Sequence, residues 1–212
     1  MAAGPPEVDR LLRVGLTGGV SSGKSEVGRI LRELGAAVFD ADRIVAGLYE
    51  PGQPGARIVA ELFGTEFLSA AARVDRPRLA ARVFTDPGAR ERLEARIHPL
   101  VAAEILRRFA DAERGGFPVA AAEASQLLEG GYAKEFDRVA LVVAPAGSRR
   151  KRWLDRGLDP EDLSRRMAAQ LPEDAARELA DDVIVNAGSL TDLRRTVETL
   201  YRSWLEETPH RP

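Results

Sequence analysis

The sequence predicts an α/β fold: a parallel sheet flanked by helices, interrupted by one helical insertion and one helical lid. Three observations predict it. Gly18-Gly19-Val20-Ser21-Ser22-Gly23-Lys24-Ser25 fits the pattern G-x-x-x-x-G-K-[ST] between an apolar run and an amphipathic segment. Short apolar runs alternate with helical periodicities near both ends of the chain, which implies parallel strands covered on both faces. Between Ile44 and about Gly115 the strand signal disappears and helical spacing dominates.

Leu11, Leu12, Val14 and Leu16 read as a short buried strand, and Val27, Ile30, Leu31 and Leu34 recur at helical spacing before Gly35 stops the helix. The octapeptide therefore joins a strand end to a helix start. Unpaired backbone N–H groups and the positive end of the helix dipole converge there on an anion, and glycine lets the chain curl around it. This is the pattern of a P-loop NTPase core. Gly18, Gly19, Ser21, Ser22, Gly23 and Lys24 would wrap the phosphates of ATP or GTP, with Lys24 reaching the outer ones and the Ser25 hydroxyl ligating the accompanying Mg2+. A ligand-free Gly/Ser turn is the competing reading, and the strand before and helix after weigh against it. Nearly all positive charge here is Arg, with lysine only at Lys24, Lys134 and Lys151. A compact ammonium suits a narrow glycine cradle better than a planar guanidinium does.

A second apolar run, Ala37-Val38-Phe39, ends at Asp40-Ala41-Asp42. In an extended segment Asp40 and Asp42 share a face. A carboxylate at a strand end can accept a proton from an attacking hydroxyl or help hold Mg2+. A solvated turn is the plainer alternative, since Asp favours turns. Residues 44–116 are predicted to form the helical insertion, punctuated at Glu50-Pro51-Gly52, Gly64, Pro77 and Asp86-Pro87. His98, beside the helix-breaking Pro99, has no second histidine near it and by itself reads as structural.

Phe117–Ala122 and Val139–Val143 are two more expected strands, the first rich in alanine. Residues 148–178 are densely charged and predict a lid of two amphipathic helices with a turn near Gly157. Solvated ion-paired helices account for such a composition. Beside a triphosphate, the same segment can close over the nucleotide and bring Arg152 or Arg156 to the charge that develops during transfer. Val183–Val185 makes the last strand, and Ser189 is expected to cap the final helix with Asp192 at N3. Trp153 and Trp204 are assigned to core packing. The nucleotide-binding core is thus 11–43, 117–147 and 179–208.

Composition narrows the function classes. A net charge of -2 over 212 residues gives no global basic field for nucleic acid. The absence of cysteine excludes disulfides, thiolate nucleophiles and Cys-based zinc sites. No secretory h-region or membrane-length apolar span is found, so a cytoplasmic protein without membrane or nucleic-acid partners is expected. The missing G-x-G-x-x-G after the first strand argues against a dehydrogenase, and the missing Asn-Lys-x-Asp argues against a GTP switch.

Taken in order, several segments resemble the dephospho-CoA kinase family from about Arg13 to Leu205. They are Leu16-Thr17 with the octapeptide, Asp40-Ala41-Asp42, Glu50-Pro51-Gly52, Ile97-His98-Pro99-Leu100, Leu127-Leu128-Glu129, and Ala180-Asp181-Asp182-Val183-Ile184 with Asn186 and Gly188. The resemblance implies transfer of a phosphoryl group from ATP, with Mg2+, to the ribose 3'-hydroxyl of dephospho-CoA, the last step of coenzyme A synthesis. It implies that the 44–116 insertion binds the CoA substrate. It also implies that Asp42 activates the 3'-hydroxyl, that Arg156 of the lid contacts phosphates, and that His98 belongs to the acceptor domain. Glu26, Asn186 and Gly188 would lie by the nucleotide, the last two near adenine. The chain departs from the family at Ser21, often glycine, at Glu26, often a hydroxyl residue, and at Ser125-Gln126, usually Pro-Leu. It also has one residue fewer after Arg156. Ser21 is tolerable at that position if its φ is negative, and Glu26 is expected to point outward along the helix. A kinase for another small acceptor, such as a nucleoside or nucleotide, and an ATP-binding regulator without turnover are the competing classes.

Overall fold

The first strand is apolar on both faces and is covered on both. β1 (Leu12–Gly18), with Val14 and Leu16 fully buried, is the middle strand of a five-stranded parallel sheet ordered β2-β3-β1-β4-β5. The computed structural model describes residues 10–125, 127 and 133–207; Gln126, Leu128 and Glu129 lie outside the described residues. The other strands are β2 (Ala37–Asp40), β3 (Val119–Glu123), β4 (Arg138–Val143) and β5 (Asp182–Val185). In β1 Leu16 pairs with Glu123 on one side and Ala140 on the other. Parallel pairing brings the C-terminal ends of β1, β3, β4 and β5 to one edge of the sheet, where α/β folds bind ligands. Alanine is a poor strand former, yet Ala120, Ala121 and Ala122 are wholly buried in β3. Tertiary cover overrides propensity there.

Helices α1 (Lys24–Glu33) and α9 (Leu190–Glu207) lie on one face. Val27, Ile30, Leu31, Leu193, Val197 and Trp204 cluster with Val14, Leu16 and Ile184. The expected cap of α9 is formed reciprocally: Asp192 N donates to Ser189 Oγ at 3.2 Å and Ser189 N to Asp192 Oδ2 at 3.1 Å. Leu141, Val143 and Ala176 form a smaller cluster on the opposite face. The charged segment contains three helices instead of two: α6 (Ala146–Leu154), α7 (Pro160–Ala168) and α8 (Glu173–Glu178). The expected turn is present, with Gly157 at φ 70°, and Pro172 adds a second break by starting α8. Trp153 is buried and donates from Nε1 to the Asp159 carbonyl at 2.7 Å.

The chain divides into two compact units, one up to Phe39 together with Arg108 onward, the other Asp40–Arg107. Segment 148–178 belongs to the first. The second holds α2 (Ala41–Leu48), α3 (Pro54–Phe63), α4 (Arg76–Thr85) and most of α5 (Pro87–Arg114). Pro99 does not end α5. An interior proline costs a helix about 3 kcal/mol. Against that, Ala89, Leu93, Ile97, Val101, Ile105 and Phe109 bury a continuous stripe at four-residue spacing, each large side chain contributing about 1.5–3 kcal/mol. Burial wins, and the helix passes through.

Candidate active site

β1 ends at Gly18 and α1 begins at Lys24, so the loop between them must reverse within a few residues. Gly18 at φ 147° and Gly23 at φ 105° allow the reversal. A side chain at Gly23 would collide with Asn186 and one at Gly18 with the Val142 carbonyl. Lys24 Nζ, nearly buried, donates to the carbonyl of Gly18 at 2.7 Å and of Gly19 at 3.4 Å. Arg149 Nε donates to the Val20 carbonyl at 2.9 Å. Arg152 Nη1 donates to Ser21 at 3.3 Å and Ser22 at 3.1 Å, and Asn186 Nδ2 adds a 2.8 Å bond to Ser22. Five consecutive carbonyls, 18 through 22, are thus held by cations. These bonds fix the loop backbone, in which Val20 N already donates to Gln170 Oε1 at 2.9 Å and Ser22 N to the Gly19 carbonyl at 3.0 Å; a fixed loop at a helix start is how an anion cradle is built.

The condition for tolerating Ser21, a negative φ, is not met: its φ of 58° lies in the left-handed region. The bonds from Arg152 and Arg149 to this stretch over-determine the backbone and hold the residue there. The Oγ atoms of Ser21 and Ser22 are buried and have no partner among the described residues. Ser25 Oγ donates to Glu123 Oε1 at 2.7 Å, joining the first turn of α1 to the end of β3. Glu26 turns along α1 to Arg29, whose hydrogen bonds hold its carboxyl below the usual range.

Asp40 and Asp42 do not share an extended face. β2 stops at Asp40, whose Oδ1 accepts from the backbone N–H of Asp42 at 2.8 Å and Arg43 at 3.2 Å, making Asp40 the N-cap of α2. Asp42 is exposed in the first turn of that helix. Asx-type capping outcompetes the extended form. His98 sits half-buried in α5 immediately before Pro99. Arg156 is exposed on the turn after α6, whereas Arg152, one helical turn earlier, reaches the loop. Arg152 Nη2 also donates to the Asn186 carbonyl at 3.3 Å, tying α6 to the loop that carries Asn186 and Gly188. Sequence reading missed Glu123, whose alanine-rich strand gave no acidic motif, and left Arg149 undistinguished within a run of basic residues.

These features match a known family. A family model described as "CoaE: Dephospho-CoA kinase" matches residues 12–192. The chain belongs to the dephospho-CoA kinase family. A dephospho-CoA kinase of Methylococcus capsulatus is 42% identical over 92% of this chain and 97% of the relative. The crystal structure of TT1252 from Thermus thermophilus is similar at TM-score 0.80 and 33% identity, covering 92% of this chain and 98% of that one. A dephospho-CoA kinase from Campylobacter jejuni shares the fold at TM-score 0.69 and 23% identity, over 94% of this chain and 100% of that one.

The dephospho-CoA kinase family implies Mg2+, and the oxygen donors suit it. Ser25 and Glu123 place a hydroxyl and a carboxylate 2.7 Å apart at the loop. Among the described residues no three His, Cys, Asp or Glu side chains gather as a metal cage. Among the described residues no helix is long and apolar enough to cross a membrane.

Proposed function

We infer that this chain phosphorylates dephospho-CoA at the expense of ATP, forming coenzyme A and ADP. Family membership over nearly the whole chain supports the reaction. The single observation that carries the geometry is the clamped loop 18–22, its carbonyls engaged by Lys24, Arg149 and Arg152. With ATP bound, the loop N–H groups and Lys24 hold the β- and γ-phosphates, and Asn186 with Gly188 borders the adenine. Ser25 and Glu123 are the residues that would hold Mg2+, which when bound neutralises charge on those phosphates. The acceptor's ribose 3'-oxygen attacks the γ-phosphorus, the bond to the β–γ bridging oxygen breaks, and ADP leaves. We assign the hydroxyl proton to the Asp42 carboxylate. Arg156 of the lid is assigned to phosphate contact, and His98 to acceptor binding in the 44–116 insertion. Both substrates are small molecules, so the reading needs no nucleic-acid partner and places the enzyme in the cytoplasm.

The test is a coupled assay of ADP release with dephospho-CoA, set beside nucleosides and nucleotides as acceptors. ADP release with dephospho-CoA at least tenfold above the other acceptors is the expected result. Equal or higher turnover of a nucleoside would transfer the loop to another acceptor, and tight ATP binding without acceptor-dependent release would make the chain a non-catalytic binder.

A further inference from the structure

Gln170 lies in the connector between α7 and α8, and its side chain bonds to two separate stretches of chain. Its Oε1 accepts from Val20 N in the phosphate loop at 2.9 Å, and its Nε2 donates at 3.2 Å to the carbonyl of Ser125, just beyond β3. An amide meets both needs at once, offering an acceptor and a donor from adjacent atoms. Ionised glutamate has the same reach but only acceptors. Gln170 is thus built as a strut joining segment 148–178 to the phosphate loop and to the end of the strand that carries Glu123.

Burial anchors much of that segment weakly. α6 buries Trp153 and α7 buries Leu163, one residue each, whereas α8 is held to the sheet by Ala176 against Leu141 and Val143. Elements with few buried contacts open at low free energy, so polar ties set where α7 stands. Arg149 and Arg152 tie α6 to the loop, and Gln170 ties the far end of α7.

A cavity of about 410 Å3 beside the phosphate loop is bordered by Gly18, Gly19 and Ser22 and, from the segment of Gln170, by Met167, Ala168 and Leu171. Loosening the strut loosens that second wall and admits water beside the loop. We propose that Gln170 is a positioning residue that holds segment 148–178 against the phosphate loop and so keeps water from replacing the ribose hydroxyl as phosphoryl acceptor. In the reaction so prevented, a water oxygen attacks the γ-phosphorus and the bond to the β–γ bridging oxygen breaks. ADP and inorganic phosphate leave, and the water's proton passes to solvent. This role rests on the kinase reading above.

Two variants of the full chain test it. Gln170→Glu keeps an acceptor for Val20 N–H but sets a carboxylate oxygen against the Ser125 carbonyl, and Gln170→Ala removes both bonds. The quantity read is the ratio of ADP released without acceptor to coenzyme A formed with dephospho-CoA, each at saturating ATP and Mg2+. It should rise by about threefold or more in both variants, and by about 5- to 100-fold in Gln170→Ala, the worth of two hydrogen bonds. A smaller rise in either variant overturns the proposal. A residue needed only for packing would lower both reactions together and leave the ratio unchanged. Should a variant fail to fold, hydrogen exchange in the unaltered protein decides. The Val20 amide, followed by NMR without nucleotide, should exchange about tenfold or more slower than an unstructured amide, and faster exchange overturns the strut. If the unaltered enzyme forms no coenzyme A, the kinase reading fails by itself, while Val20 exchange still tests the bond to Gln170.

Discussion

Ser25 and Glu123, 98 positions apart in sequence, meet through a 2.7 Å hydrogen bond in which the hydroxyl donates to Oε1. The bond joins the helix that follows β1 to the end of β3, and β1 and β3 are adjacent parallel strands, so the sheet register itself sets this pair. Both oxygens are ligand types that Mg2+ favours.

Removing the Glu123 charge should therefore weaken metal use before it weakens anything else. Glu123→Gln keeps the shape and an acceptor for Ser25. The Mg2+ concentration for half-maximal activity should rise about 10- to 100-fold, the usual range for groups that orient or supply a metal ligand. Titrating Mg2+ at saturating ATP measures it. An unchanged Mg2+ requirement would remove Glu123 from the metal site.

Lys24 touches the loop and is the cation we assign to the phosphates. Its Nζ bonds to Gly18 and Gly19 orient the ammonium within the cradle. Lys24→Ala should lower kcat/KM by about 10³-fold or more, as for loss of a preorganised charge stabiliser. Circular dichroism and Tm should stay near the parent, because the sheet and α1 are held by the buried cluster of Val14, Leu16, Val27 and Ile30.

Asp42 carries the proton assignment. Asp40 ends β2 and caps α2, which fixes the backbone at Asp42 through its own N–H. Asp42→Asn keeps that backbone bond and removes the carboxylate assigned as the base. Turnover should fall about 10²- to 10⁴-fold while ATP affinity, read by equilibrium titration, stays within about twofold. Near-parent turnover in this variant would sink the base assignment.

Local signals made the sheet and the phosphate loop legible in the sequence. Strand-loop-helix order, glycine at 18 and 23, and the spacing of Val27, Ile30 and Leu31 all act within a few residues of each other. Non-local features were not legible. Glu123 earns its place only through the pairing of β3 with β1. Arg149 stands apart from Arg150 and Lys151 only once α6 fixes which side chains face the loop, and the same helix decides that Arg152, one of two arginines singled out in the sequence, is the one that reaches it. The aspartate pair was misjudged for a local reason: side-chain capping by Asp40 competes with continued extension, and here it wins. Pro172 likewise split the lid into three helices where periodicity read two.

Arg152 and Arg156 differ in what they reach. Arg152 is fixed to the carbonyls of Ser21, Ser22 and Asn186, so it shapes the loop. Arg156 is exposed on the turn that ends at Gly157. Arg152→Ala should loosen the loop and raise KM for ATP about tenfold or more. Arg156→Ala should leave KM for ATP within about twofold and lower kcat, as for a charge that acts only in the transition state. The opposite pattern would exchange their roles.

Ser21 gives a stability prediction with a known sign. Its φ of 58° costs a non-glycine residue on the order of 1–3 kcal/mol, and its buried Oγ without a partner adds a desolvation cost of about 1–3 kcal/mol. Glycine removes both, while its greater freedom in the unfolded chain costs about 0.5–1 kcal/mol. The two gains exceed the loss even at the low end of their ranges, so Ser21→Gly should stabilise the protein by at least about 1 kcal/mol and raise Tm by at least roughly 2–4 °C for a chain of this size. Urea unfolding should show a higher midpoint at an unchanged slope. A lower midpoint would mean that the hydroxyl has a partner worth more than the backbone strain.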